Sequence, residues 1–395
     1  MISKAQAPQA AGTALPQWDS VEALLRERRP EKPVYCVYPE TYRRTARDFV
    51  DGFPGRVLYA VKANDHPSVI DYLHQGGVTH FDCASVPEIA LVRARCPDAT
   101  PYFMIPARLR GAAREAERDH GVRHFMIDHS SGLAPLAGEI DMDRAVVFAR
   151  MAVHHDAAMQ DLSTKFGAPP ADIPRLLEAI GDAGAEPALA FNVGSAVIDP
   201  AAYRYAIEIA AEVLASLPFR VRLVDIGGGL PKNYPGFKVP PLDDYFATFS
   251  DAAAALTLAD DGELLVEPGR ALAGPGLSAL TEVLLRKDRR LYLNDGMYGI
   301  FWELRFKGHD RYPVRCLRDG RPYAADTVEF RLFGPTCDAT DAMPGAVALP
   351  EDIRPGDYLE FGCIGAYSLS GRTRFNGHFS DDIVEITGTG QAPPE

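Results

Sequence analysis

Eight runs rich in apolar, β-branched and aromatic residues recur between positions 56 and 268 of this 395-residue chain, and its chemically versatile residues cluster at their C-terminal ends. The runs are 56–61, 79–83, 102–105, 123–127, 145–151, 188–193, 221–226 and 264–266. Between them, segments such as 86–95 and 201–217 carry apolar residues at helical spacing, as crossover helices do. This alternation predicts a closed (β/α)8 barrel, an α/β fold in which polar residues at the C-terminal rim face one opening. At or just past the run ends stand Lys62, Asp82, Arg150, Asn192, the Gly227-Gly228-Gly229 triplet and Glu267, followed by Gly269 and Arg270.

A barrel of this kind takes roughly 250 residues, which leaves over a hundred for a second unit. After Gly276 the pattern changes to short β-rich stretches at 280–285, 291–294, 327–333, 357–361 and 382–386, separated by Gly/Pro turns. We therefore expect the barrel over 41–276 and a C-terminal all-β domain over 277–395. A lone strand at 33–40 is expected to join the C-terminal sheet, and the Ala/Gln/Pro-rich stretch 1–16 to be a disordered tail. The net charge of −13, with the two signs interspersed, argues against a nucleic-acid or anionic-membrane surface and for a small-molecule partner. No run reaches the ~18 apolar residues of a membrane span, and the start lacks a basic segment followed by an apolar one, so a cytoplasmic location is expected. The six cysteines lack C-x-x-C spacing, which points to neither a disulfide framework nor a zinc site, and no metal is expected.

Each candidate residue has two readings at this level. Lys62, in "YAVKAN", is either a lysine whose amine an apolar wall lowers in pKa and frees for covalent bonding to a carbonyl, or an ordinary lysine at a strand end. Gly228 and Gly229 end the seventh run, where barrels bind phosphate through free backbone N–H groups; Arg270 in "VEPGR" and Ser195 in "FNVGS" could add a cation and a hydroxyl. Glu267 either holds a protonated heteroaromatic nitrogen or pairs with Arg270 three residues on. Cys337 and Asp338, in "FGPTCDATD", are a general acid and an anchor for a substrate cation, or a buried inert cysteine in a turn beside an acid.

The motifs "YAVKAN", "FDCASVPEI", "FNVGS", "DIGGGLP", "EPGR", "LNDGMYG", "GPTCDATD", "GAYS" and "FNG" occur in this order between positions 59 and 377. Together they resemble the fold-type III pyridoxal-phosphate decarboxylases, which act on ornithine, lysine, arginine, diaminopimelate or carboxynorspermidine. The resemblance implies pyridoxal 5'-phosphate as cofactor, carried covalently on Lys62 with Asp82 supporting it and Arg150 nearby. It also implies Glu267 on the pyridine nitrogen and Ser195, Gly228, Gly229, Gly269, Arg270 and Tyr367 around the phosphate. Cys337 resembles the acid that protonates the α-carbon, donated across a two-fold homodimer interface, and Asp338 the binder of a distal amine. Two positions depart from the family: Asn192 replaces a histidine that stacks on the cofactor ring, and Lys307 stands where relatives often carry an acid, nine residues after Tyr298. Lys307 would favour a distal carboxylate or acylated amine. The implied activity is decarboxylation of an ornithine- or lysine-type diamino acid. Decarboxylation of an N-acylated or dicarboxylic derivative, amino-acid racemisation and non-catalytic cofactor binding are the alternatives. Racemases of this architecture tend to place an arginine on the ring nitrogen, so Glu267 favours decarboxylation.

Overall fold

A computed structural model of the chain describes residues 14–160, 162–305 and 312–388. Eight parallel strands close into a barrel in the order Arg56–Ala60, His80–Cys83, Thr100–Phe103, His124–Ile127, Val146–Ala152, Glu186–Asn192, Leu223–Asp225 and Glu263–Val266, the last pairing back onto the first. The expected α/β barrel is thus what forms, and each apolar run overlaps one of its strands, with ends that differ by up to two residues.

Period-two alternation decides which residues face inward. Leu58, Tyr102, Met104, Met126, Val146, Phe148, Ala188, Ala190, Leu223 and Leu265 pack together inside the barrel, with the small Ala188 and Ala190 among bulky neighbours such as Tyr102 and Phe148. Their sequence neighbours Tyr59, Phe81, Phe103, Phe125, Val147, Leu189, Val224 and Val266 point outward into the layer beneath the helices. Truncating a buried ring such as Phe148 to alanine would cost about 3–5 kcal/mol. Two residues on from His80, Phe148, Ala190, Leu223 and Leu265, five of the strands reach Asp82, Arg150, Asn192, Asp225 and Glu267. The polar rim is the next layer of the same alternation that builds the core.

The helices cover the outside. Val86–Arg95 starts from Ser85, whose Oγ accepts the N–H of Glu88, and packs Ile89 and Val92 inward. Ala201–Ala215 buries Ala202, Tyr203, Ala206, Ile207 and Ala210 along one stripe. No helix among the described residues is long and apolar enough to cross a membrane.

The C-terminal part forms a mostly antiparallel sheet, ten-stranded among the described residues. Its long strand Leu277–Lys287 pairs with Val34–Val37, Arg290–Leu293 and Tyr358–Phe361. The early strand Val34–Val37 lies between Leu277–Lys287 and Ile383–Ile386, in parallel with the latter. Residues 1–13 of the expected tail lie outside the described residues, whereas the Pro16 carbonyl accepts the N–H of Glu385 at 2.8 Å, so its last residue is tied to the sheet. The sequence reading did not anticipate Val314–Arg318, Arg321–Tyr323 or Val347–Pro350.

Candidate active site

The first barrel strand runs straight into a single 3-10 turn, Val61–Ala63, which carries Lys62 to the mouth. Lys62 Nζ donates to Asp82 Oδ2 at 2.9 Å; the carboxylate is 1% exposed, while the lysine side chain is 47% exposed toward the opening. Burial acts to lower the Lys62 pKa, but the charges of Asp82 and Glu267 outweigh it and hold the amine protonated, above its ordinary range. The apolar wall expected from the sequence is therefore replaced by an acidic one, and the shift has the opposite sign. A further acid, Glu88, stands near Asp82 and Lys62; burial pushes it up to about 7, and its Oε2 accepts the Ala84 N–H at 2.6 Å. The sequence reading missed it, because "SVPE" also reads as an ordinary helix capping box.

Glu267 lies at the end of the eighth strand, 8% exposed, with its backbone N–H bonded to the Gly227 carbonyl at 2.8 Å. Burial first, then the nearby Asp225 charge, raise its pKa well above the carboxylate range. Glu267 Oε1 and Asp82 Oδ1 are buried with no hydrogen-bond donor. The alternative pairing of Glu267 with Arg270 does not form. The Arg270 guanidinium instead pairs with buried Glu303, whose Oε2 accepts the Tyr312 hydroxyl at 3.1 Å, and it lies 5.2 Å over the Tyr367 ring.

The loops after strands six to eight touch backbone to backbone. A Cβ on Gly228 would stand 2.4 Å from the Glu267 carbonyl oxygen, and one on Gly229 would stand 2.3 Å from that of Gly194. Glycine is required by this approach, and at Gly229 also by a φ of +98°. Ser195 begins a short antiparallel ladder with Gln160. Gly269 opens the turn Arg270–Ala273, and a Cβ there would meet Ala63 Cβ at 3.1 Å and the Tyr367 hydroxyl at 3.2 Å. The Tyr367 N–H donates to the Ala63 carbonyl at 2.7 Å, which fastens the C-terminal sheet to the turn bearing Lys62. Asn192 Oδ1 accepts the Gly194 N–H at 2.9 Å, so its side chain braces its own loop. The Arg150 guanidinium lies 5.6 Å from the centre of the Phe166 ring.

Of the six cysteines, five are buried and Cys337 is exposed, contrary to the inert reading. Its loop is pinned by Asp341, whose buried carboxylate accepts the Thr336 N–H and hydroxyl and the Met297 N–H. Asp295 does the same for the facing loop, accepting from Gly296, Ile300 and the Tyr35 hydroxyl. These anchors bring Tyr298 within 2.7 Å of Asp338 Oδ2, and hydrogen bonds from Tyr298 and Thr340 hold the Asp338 carboxyl below its ordinary pKa. The Cys337 thiol donates to Asn376 Oδ1 at 3.3 Å, and Phe375 stacks on Tyr298 with ring centres 4.3 Å apart. Asn376 and Tyr298 appeared in the sequence only as parts of motifs. Lys307 lies outside the described residues.

The rim therefore joins one amine, a set of buried acids, a glycine-lined backbone cradle and an arginine. These features fit a phosphorylated pyridine aldehyde. The Glu267 carboxyl can accept a ring N–H, the glycine loops meet at the rim, with Gly269 against Tyr367 and the Arg270 guanidinium over the Tyr367 ring, where N–H groups and a cation can take a phosphate, and the Lys62 amine is open to an aldehyde. Among the described residues, no group of three or more His, Cys, Asp or Glu side chains could hold a metal ion.

Residues 40–274 match the family model for the pyridoxal-dependent decarboxylase pyridoxal binding domain, and 189–365 match that for its C-terminal sheet domain. The chain is 30% identical over 336 residues to the lysine/ornithine decarboxylase of Selenomonas ruminantium, covering 82% of this chain and 81% of that protein. Antizyme inhibitor 2 of Xenopus laevis is 30% identical over 355 residues, covering 81% of this chain and 73% of that one. The crystal structure of Paramecium bursaria Chlorella virus arginine decarboxylase bound to agmatine superposes with a TM-score of 0.82 at 27% identity, covering 93% of this chain and 99% of the other.

Proposed function

The chain belongs to the pyridoxal-dependent decarboxylases, and from that premise we propose that it removes the α-carboxyl group of a diamino acid of the ornithine, lysine or arginine type. The observation that carries this reading is the Lys62 amine, open to the barrel mouth yet gripped by Asp82, in one rim with Glu267 and the glycine loops. When bound, pyridoxal phosphate supplies an aldehyde that takes an amine and a ring that accepts the electrons left as carbon dioxide departs. Lys62 would hold the aldehyde, and Asp82 would keep the lysine aligned and protonated until it is displaced. Glu267 would accept the ring N–H, and the N–H groups around Gly228, Gly229 and Gly269, with Ser195, Arg270 and Tyr367, would bind the phosphate. Arg150 and Asn192 line the same mouth.

Cys337 and Asp338 act from the partner subunit of a homodimer in this reading. Their hydrogen bonds run to Asn376, Tyr298 and Thr340, and the thiol, the acid and Phe375, which is 39% exposed, are left at the surface for a second copy to use. The Cys337 thiol returns a proton to the α-carbon, while ionised Asp338 holds the distal ammonium. Six cysteines with no disulfide among the described residues suit the reducing cytoplasm. Likeness to an antizyme inhibitor supports a second reading, a non-catalytic binding protein.

One experiment separates the two. Carbon dioxide release is measured on lysine, ornithine and arginine, and borohydride-treated protein is mapped by mass spectrometry. Turnover with the cofactor fixed on Lys62 is expected. Fixation without turnover on any diamino acid selects the non-catalytic reading, and fixation on another lysine defeats the site assignment.

A further inference from the structure

The seventh and eighth barrel strands run side by side, with Asp225 in register with Leu265, so inward-facing residues 225 and 267 occupy neighbouring places on the rim. Asp225 is fully buried; its Oδ1 accepts the Gly227 N–H at 2.8 Å, and its Oδ2 has no donor. Glu267 Oε1 has none either, so the ends of these two adjacent strands carry two buried carboxyls, each with an oxygen that lacks a donor. Two neighbouring buried carboxylates are both acceptors and both negative, so the arrangement is favourable only with a hydrogen between them. The charges around them do not remove this need. Asp82 adds a third negative group, and Lys62 and Arg150 supply the positive ones. Burial raises both carboxyls, Asp225 to about 6 and Glu267 well above the carboxylate range, in keeping with a single proton on the pair.

We propose that Asp225 and Glu267 share one proton, and that Asp225 is the positioning residue that lets Glu267 present a carboxylate to the ring nitrogen. The second half rests on the reading of Glu267 given above. When a cationic N–H stands before Glu267, the Glu267 O–H bond breaks, its proton moves to Asp225 Oδ2, and the bonding electrons stay on Glu267, which takes over the negative charge from Asp225. The new Asp225 O–H then donates back to it. The pair keeps one negative charge throughout, which avoids two adjacent buried anions.

The test uses cofactor-loaded protein at mildly alkaline pH. Infrared spectroscopy of the wild type is expected to show the carbonyl stretch of a neutral buried carboxyl. Asp225→Asn and Glu267→Gln should each abolish it, because an amide N–H then supplies the bridging hydrogen. A wild type without the band, or either variant retaining it, overturns the shared proton. For the positioning role, Asp225→Asn should keep kcat within about threefold, whereas Asp225→Ala should lower it about ten- to a hundredfold with the cofactor absorbance retained, the range for losing a hydrogen bond to a charged group. Equal losses in the two variants overturn that role. If Asp225→Ala does not fold, the infrared comparison of the two amide variants decides. Should Glu267→Gln leave both the cofactor absorbance and kcat unchanged, Glu267 does not serve the ring and the positioning half falls, while the shared proton still stands or falls on the infrared band.

Discussion

The two rims of the barrel are made from the same eight strands by the same two-residue alternation, yet they treat charge in opposite ways. At the N-terminal rim, Arg56 pairs with Glu263 and donates to the Tyr102 hydroxyl at 2.7 Å, and Arg222 Nε donates to Glu186 Oε1 at 2.8 Å. His124 stacks on Tyr102 with ring centres 3.9 Å apart and His80 packs edge-on to it; burial keeps both imidazoles neutral. There each cation faces an anion. At the C-terminal rim, Asp82, Glu88 and Glu267 crowd around Lys62, with Asp225 beside Glu267, and three of these four acids keep a buried oxygen without a donor. In charge, one end of the sheet is settled, although His80 and His124 each keep a buried Nδ1 without a hydrogen-bond partner there, and the other end is held unsettled by the fold around it. Such mismatch is expected where a protein gives up stability to prepare a site.

The comparison breaks most directly at Glu267. Glu267→Gln should lower kcat about a hundred- to a thousandfold, the cost of removing a charge aimed at a reacting group, and should raise the melting temperature because it relieves acidic crowding. Carbon dioxide release and thermal melts read the two effects, and a lowered melting temperature would place Glu267 with the stabilising rim. At the opposite end, Arg56→Met should cost about 2 kcal/mol of stability by stranding Glu263 and the Tyr102 hydroxyl, with kcat/KM unchanged. Urea melts paired with kinetics test this.

The settled rim also carries a pH signature. His80 is lowered from 6.5 to about 4 and His124 to about 3, by burial first and then by the charge of Arg56. The unfolded chain therefore binds these protons before the folded one does. Their contribution is intact above pH 6.5 and is lost progressively as pH falls toward 4 and below. In His124→Phe, which keeps an aromatic ring against Tyr102, stability measured by denaturant melts across this window should fall less steeply than in the wild type. The smallest effect expected is at Lys307. Lys307→Asp should raise the kcat/KM ratio of a free diamino acid over its N-acyl counterpart about two- to fivefold, in line with one solvent-screened charge pair. An unchanged ratio leaves Asp338 as the residue that reads the distal end.

The barrel was legible because most of its strands carry a consecutive apolar stretch that the fold buries, as in the VLYA of "RVLYA" or the VVFA of "VVFARMA". Val314–Arg318 was missed because "VRCLR" interrupts its apolar positions with arginines and becomes a strand only by pairing with Tyr358–Phe361. The motifs marked Lys62, Glu267, Arg270 and Cys337. Asp225 stood unread at the head of "DIGGGLP" and Glu303 lay in no motif, because their meaning lies in partners 42 and 33 positions away. The sign of the Lys62 shift was misjudged for the same reason, since a strand's neighbours in space, here Asp82 and Glu267, are not its neighbours in the chain.

The strand Val34–Val37 has a consequence for the order in which the protein is made. It leaves the ribosome before any barrel strand, yet both of its partners, Leu277–Lys287 and Ile383–Ile386, come from the last third of the chain. At typical synthesis rates of roughly 5–20 residues per second, it waits about 12–50 seconds for the first partner and longer for the second. During that time its VYCV segment, fully buried at the end, has two open edges and no sheet to enter. Trigger-type chaperones that shield emerging apolar segments should therefore raise the yield of this protein more than that of a barrel lacking the leading strand.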